Sequence, residues 1–261
     1  MRALNIGATG MLAQQLNVEV ISHNIANMNT TAYQRRRVEF QDLLYQNQRR
    51  VGSDSSDAGT IVPAGVQIGL GVKTAAVYRI AQQGNLTLTE NTLDLAINGE
   101  GYFQIELADG ETGYTRSGAF QLSQNGEIVT VDGFRVLPGL TVPDGAIDVT
   151  INSSGAVLVQ IDGQVAPQNI GQFELASFSN EAGLLAVGDN LFLETPASGA
   201  ATTGTPDSDG FGRTQQGFLE TSNVNVVEEI TNLITAQRAY EMNSKVIETA
   251  DQMMATMSNV R

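Results

Sequence analysis

Cysteine and tryptophan are absent from the 261 residues, histidine occurs once and proline six times. Without cysteine there is no disulfide scaffold, no thiolate zinc site and no thiol nucleophile. With a single histidine, His23, neither a histidine metal cage nor a Ser-His-Asp triad has its partners. Long apolar runs are missing too. Asn, Gln or Asp interrupts each one well short of the roughly 18–20 residues that cross a bilayer, so no membrane insertion is expected. The opening Met1-Arg2-Ala3-Leu4-Asn5-Ile6-Gly7 offers one basic residue but no continuous apolar region and no small-residue cleavage site. No cleaved secretory signal is expected, and an exported chain would need another route.

Basic charge is scarce, and its scarcity is local. The chain carries a formal charge of -14, but residues 80–212 hold 17 acidic side chains against 2 basic ones, while residues 1–79 hold 8 basic against 5 acidic. An acidic middle of this kind repels nucleic acid and anionic lipid, and suits a solvated surface or a basic partner.

What the sequence does have is a matched pair of apolar stripes at its two ends. Leu4, Gly7, Met11, Gln14, Val18, Ile21, Ile25 and Met28 follow the 4-3 spacing of a heptad, which predicts one helix with one seam. Gly7 and Gln14 are its weak members. Glycine lets a neighbouring backbone approach, and a polar seam residue can fix register. Asn27-Met28-Asn29-Thr30-Thr31 signals the helix end, because Asn tolerates the left-handed conformation and Thr resists continuation. The same spacing returns in Leu233, Ala236, Tyr240, Asn243, Ile247, Ala250, Met254 and Met257. Asn225 is the expected N-cap there, with Glu228 and Glu229 where the helix dipole favours negative charge.

Between the stripes the period changes to two and the punctuation to glycine. Asn98-Gly99, Asp109-Gly110, Asn125-Gly126, Asp132-Gly133, Asp144-Gly145 and Asp162-Gly163 are turn-forming dipeptides, and short β-branched or aromatic runs lie among them. Strands are expected at 93–97, 102–105, 127–131 and 156–161. The stretches 46–65 and 196–212 lack periodicity and read as long connections. The expected fold is therefore α+β: long N- and C-terminal helices paired as a coiled coil, an inserted all-β domain and extended connecting segments. Its parts are a helix over 1–31, an extended connection over 32–79, a β-rich outer domain over 80–204, a returning connection over 205–223 and a second helix over 224–261. Leaving through one connection and returning through the other brings the two helices together.

Candidate chemistry is thin. Asp207-Ser208-Asp209-Gly210 lacks the later Glu and the ligand spacing of a calcium loop. Asp109 and Glu111 straddle an Asp-Gly turn with no aromatic sugar cleft. Gly69 and Gly71 lack the third glycine, the lysine and the following helix of a phosphate loop. Arg35, Arg36 and Arg37, near Tyr33 and Phe40, form a short basic run in an acidic protein. Contact with acidic surfaces of neighbouring subunits suits their multi-donor geometry better than nucleic acid does. No catalytic group, cofactor or metal is expected, so a β-rich carbohydrate-active enzyme or adhesin on helical anchors is the weaker alternative to a structural subunit.

Four ordered motifs carry a resemblance. Ser22-His23-Asn24-Ile25-Ala26-Asn27-Met28-Asn29-Thr30-Thr31-Ala32-Tyr33 resembles the N-terminal signature of bacterial flagellar rod and hook proteins, in which Asn24, Asn27, Asn29, Thr30 and Tyr33 are the motif positions. Leu93 to Phe103, Tyr114 to Phe120, and Ser222 to Glu229 leading to Gln237-Arg238-Ala239-Tyr240-Glu241 extend it over most of the chain. Length, the moderate β module and the extra segment 46–65 make it most similar to distal-rod members, with a proximal rod or hook subunit as the alternative. The resemblance implies a helical homopolymer, neighbouring rod and hook proteins and surrounding envelope rings as partners, a place in the periplasm-spanning rod, and export without a cleaved signal. Leu4, Met11, Val18, Ile21, Ile25, Met28, Leu233, Ala236, Tyr240, Ile247, Ala250, Met254 and Met257 are the expected assembly seam. Ala32 stands where the family often has Gly, and because Ala strains a positive φ, a glycine-type turn is not expected at that point.

Overall fold

The heptad stripes form the two α-helices among the described residues, α1 (Arg2–Ala26) and α2 (Val226–Asn259), with a β-rich region between them. The structure, a computed structural model, describes residues 2–49, 64–163 and 166–259; most of the connection expected over 46–65 lies outside them. The chain divides into two compact units. One comprises residues 1–26, 36–78 and 225–261, and the other residues 27–35 and 79–224.

In the helical unit, α1 ends at Ala26 rather than running through 31, and Met28 falls in a turn. The physical reason is local. The Asn27 carbonyl accepts the Thr30 N–H at 3.2 Å and the Asn27 Oδ1 accepts the Thr30 hydroxyl at 3.1 Å, an alternative to continued helix. At the start of α2, Asn225 Oδ1 accepts the Val227 N–H at 3.2 Å, capping the helix. The connection after α1 is not merely extended. Arg36–Asp42 pairs with Val72–Arg79, and Tyr45–Arg49 pairs antiparallel with Val66–Gly69.

The β-rich unit is organised around Tyr102–Glu106, which pairs antiparallel with Thr112–Thr115 on one side and with Arg135–Val136 and Leu175–Ser177 on the other. Its alternation buries both faces. Phe103 and Ile105 enter a cluster with Phe120, Ile128, Val157 and Phe173, while Tyr102 enters a second cluster with Tyr114, Phe178 and Phe192. The ring pairs meet edge to face, as with Tyr114 and Phe178 at 4.8 Å between centroids. Glycine takes positive φ in all six expected turn dipeptides, and the strand expected at 156–161 forms over Ala156–Ile161.

Residues 205–223, which composition reads as connection, supply two strands: Arg213–Gln216 on Leu95–Asn98, and Phe218–Glu220 on Leu86–Leu88. The first is polar throughout, which hides it from a hydrophobic pattern, and the second, Phe218-Leu219-Glu220, is three residues long and too short to show a period. Thr214 Oγ1 donates to the Asn152 carbonyl at 2.8 Å, and Gln216 Nε2 donates to the Val149 carbonyl at 2.7 Å. The strand Arg213–Gln216 is held by satisfied polar groups rather than by an apolar face.

Candidate assembly surfaces

The helices α1 and α2 pack against each other in opposite directions. A Cβ built on Gly7 would lie 2.9 Å from Ile247 Cγ1, one on Gly10 would lie 2.9 Å from Asn243 Nδ2, and Asn24 reaches Glu229 at 3.4 Å. Rising α1 numbers thus meet falling α2 numbers. The two glycines let the backbone of α1 come close to α2 where Ile247 and Asn243 project. Of the seam residues, Ile21, Ala236 and Ala250 are buried. Leu4, Met11, Val18, Ile25, Leu233, Ile247 and Met254 are half-buried, and Met28, Tyr240 and Met257 are exposed. Gly7, Ala13 and Asn24 are also buried on α1, and Glu229 on α2.

Asn24 locks one end of this pair. Its Oδ1 accepts the Arg36 N–H and its Nδ2 donates to the Arg36 carbonyl, both at 2.9 Å, while Nδ2 also reaches the Glu229 carboxylate. Burying an amide and a carboxylate is tolerated because they satisfy each other, and a polar pair at one point of an apolar seam discriminates against slipped registers. The α1 helix is tied on a further side, where Thr9 Oγ1 accepts the Val72 N–H at 3.4 Å.

The rest of the N-terminal motif belongs to the β-rich unit. Ala32 is buried with φ +55°, and its N–H donates to the Glu220 carbonyl at 2.8 Å. The turn that Ala was expected to disfavour is therefore made. Burial and this hydrogen bond offset a strain of order 1–3 kcal/mol. Tyr33 and Thr31 contribute backbone: the Tyr33 carbonyl accepts the Asn223 N–H at 3.3 Å, and the Thr31 carbonyl accepts Asn190 Nδ2 at 3.1 Å. Asn29 is exposed.

The arginine run is divided between the two units. Arg35 and Arg36 are half-buried and bound through backbone N–H groups to Asn223 Oδ1 and Asn24 Oδ1. Arg37 is exposed beside Glu39 at 3.9 Å, a contact worth little in solvent.

The contacts of several organising side chains were not legible in the sequence, although Arg116 and Asn223 lie within the motifs that carry the resemblance. Asn223 accepts from Arg35 N–H at 2.7 Å and donates to the Ile80 and Gln82 carbonyls at 3.0 and 2.7 Å, joining three segments. Arg79 lies 4.0 Å over the Phe192 ring and donates to the Glu181 carbonyl at 2.7 Å. Arg116 and Glu220 form a buried ion pair at 2.7 Å. A signal for that pair was present in the composition, because Arg116 is one of only two basic residues in the acidic block. An isolated cation there is a candidate for buried charge pairing.

Burial pushes the half-buried Glu181 carboxyl above its ordinary value, with Arg116 opposing the shift, and burial pushes Tyr102 up to about 12. A raised carboxyl makes ionisation the unfavourable event. Its contribution to stability is full below the ordinary carboxylate range and is lost as pH rises through the raised value. Glu181→Gln is accordingly expected to raise Tm at neutral pH, with the gain vanishing below about pH 4, near the ordinary glutamate value. Thermal unfolding of both proteins across pH checks this, and an unchanged difference at every pH would contradict it.

Glu100, Asp109 and Glu111 are exposed, and no group of three or more His, Asp or Glu among the described residues is placed to hold a metal. The helices carry further uncovered apolar side chains: Leu12 on α1, and Val227, Ile230, Ile234, Met242, Val246, Met253 and Met257 on α2. No helix among the described residues is long and apolar enough to cross a membrane.

Comparison with known proteins points the same way. Residues 4–34 match the family described as flagella basal body rod protein. Residues 96–159 match the flagellar hook protein FlgE/F/G D1 domain, and residues 215–260 match the flagellar basal body rod FlgEFG protein C-terminal family. The chain is 61% identical to the flagellar basal-body rod protein FlgG of Caulobacter vibrioides over 100% of both chains. It is 55% identical to that of Agrobacterium fabrum, over 99% of this chain and 98% of the relative. With the FlgG of Bacillus subtilis it shares 38% identity over 100% of this chain and 99% of the relative.

Proposed function

This chain belongs to the family of flagellar basal-body rod proteins, a structural family and not an enzyme one, and on that premise we propose that it polymerises into the distal part of the rod that carries torque through the cell envelope. The observation that carries the reading is the double apolar character of α2. One face, through Ala236, Ile247 and Ala250, lies against α1, and another, through Val227, Ile230 and Ile234, is uncovered. An amphipathic helix with one partner needs one apolar stripe, and the second needs another helix to cover it.

In this reading α1 and α2 wind as a coiled coil in the inner layer of the shaft, where their 4-3 spacing suits knobs-into-holes packing. Neighbouring copies and other rod and hook proteins cover the remaining apolar surface. The acidic β-rich unit, with Glu100, Asp109 and Glu111, faces outward toward the envelope rings. Antibody labelling of isolated basal bodies tests the assignment: label on the rod segment next to the hook is expected, and label confined to the proximal rod or to the hook would overturn it.

A further inference from the structure

Midway along the helix pair the seam opens. Gln15, Val18 and Glu19 on α1 and Gln237, Tyr240 and Glu241 on α2 line a groove of about 490 Å³, and Tyr240, a seam residue by spacing, is 43% exposed there. We propose that this groove receives the methionine-bearing end of α2 from a second copy of the chain, through Met253, Met254 and Met257. The inference rests on the assembly reading above and names the contact that propagates it.

The first argument is the continuity of a stripe beyond its cover. Ile247, Ala250, Met254 and Met257 keep the 3-4-3 spacing of the seam. Ile247 is covered at Gly7 and Ala250 is buried, but Met253 is 61% and Met257 75% exposed. Continuing the antiparallel register at one residue per residue places Arg2, the first described residue of α1, opposite roughly residue 251, so the following two turns of α2 lie past it. The seam pattern is present there, and among the described residues α1 offers it no partner.

The second argument is the cost of burial. Gln252-Met253-Met254-Ala255-Thr256-Met257-Ser258 contains no charged side chain, so this end of α2 enters a groove without desolvating a charge. The other uncovered stripe, Val227, Ile230 and Ile234, is interleaved with Glu228 and would bring a carboxylate toward Glu19 and Glu241. The groove is also matched in kind. Val18 and the Tyr240 ring suit an unbranched thioether, which packs favourably against aromatic edges. The Glu19 and Glu241 carboxylates at its rim can accept from Gln252, Thr256 and Ser258.

The third argument is geometric. By the same register Val18 faces roughly residue 235 within one copy, about 30 Å along the axis from Met257, so the end of α2 cannot fill its own groove. The tail and the groove are different surfaces, so the contact is heterologous. Head-to-tail contacts of this type extend as open filaments unless the rotation closes a ring.

The absence of cysteine makes the test clean. Val18→Cys and Met257→Cys each introduce a lone thiol into the full-length chain, and the two variants are mixed under polymerising conditions with a mild oxidant. The expected result is a disulfide-linked dimer of the two variants, about tenfold more abundant than from a control mixture of V18C with Met242→Cys, because a disulfide needs Cα atoms within about 7 Å. A sedimentable polymer with no excess of the V18C–M257C dimer overturns this contact and leaves the assembly reading standing. A wild-type chain that forms no polymer strikes the assembly reading and this contact together. In parallel, Met253→Ser combined with Met257→Ser should lower the sedimentable fraction while leaving the monomer's helix content unchanged; undiminished sedimentation would count against the contact.

Discussion

Arg116→Met is expected to lower the stability of the β-rich unit by about 3–5 kcal/mol, the usual cost of removing one partner from a buried ion pair. The side chain is bound on every donor face. Nε donates to Glu220 Oε2 at 2.7 Å, Nη1 to the Gly101 carbonyl at 2.9 Å and Nη2 to the Gly99 carbonyl at 2.6 Å. Glu220 uses its second oxygen to accept the Gly84 N–H at 2.9 Å. Methionine of similar length leaves the Glu220 carboxylate buried without its cation and two carbonyls without donors. Urea unfolding of the full-length monomer, followed by near-UV circular dichroism of the buried Tyr102 and Tyr114, reads the effect. Arg116→Met with Glu220→Leu should recover only part of the loss, because the Gly84 N–H is still orphaned. A single variant within about 1 kcal/mol of wild type, the ordinary range of a surface pair, would show that the pair contributes little.

Ala236→Glu is expected to abolish polymerisation. Ala236 is 3% exposed on the seam of α2, and a carboxylate there has neither room nor a cation against α1. Burying it unpaired costs several kcal/mol, which separating the two helices avoids. The predicted result is a chain that no longer sediments as polymer, with reduced helical circular dichroism but retained near-UV signal from the β-rich unit. Ala236→Ser, which nearly keeps the size of the buried side chain and adds no charge, serves as the control and should polymerise as wild type does. Normal sedimentation by Ala236→Glu would remove the helix seam from the account of assembly.

These two sites differ in how far the sequence revealed them. The stripe containing Ala236 is a spacing, and spacing survives in a sequence because helical periodicity is local. The Asp-Gly and Asn-Gly turns were legible for the same reason, since a positive φ is a property of one or two residues. Arg116 and Glu220 lie 104 residues apart, and no local rule brings them together. The strand over Arg213–Gln216 was read as connection because its stabilising contacts are polar and distant, and Phe218–Glu220 because three residues are too few to show a period. Ala32 failed in the opposite sense. The local rule against positive φ was sound, but burial and the hydrogen bond to Glu220 outweighed it.

The sequence by itself determined that this protein has a helix at each end, a glycine-punctuated β-rich middle and an acidic centre, because composition and short-range period carry that information. Only the tertiary structure decided that α1 and α2 run antiparallel with Gly7 under Ile247, that Asn24 and Glu229 meet, and that the seam opens at Tyr240 and continues uncovered into Met257. Those features depend on which surfaces face each other across long loops, and that is settled by packing and burial summed over the whole chain rather than by any residue's own preference.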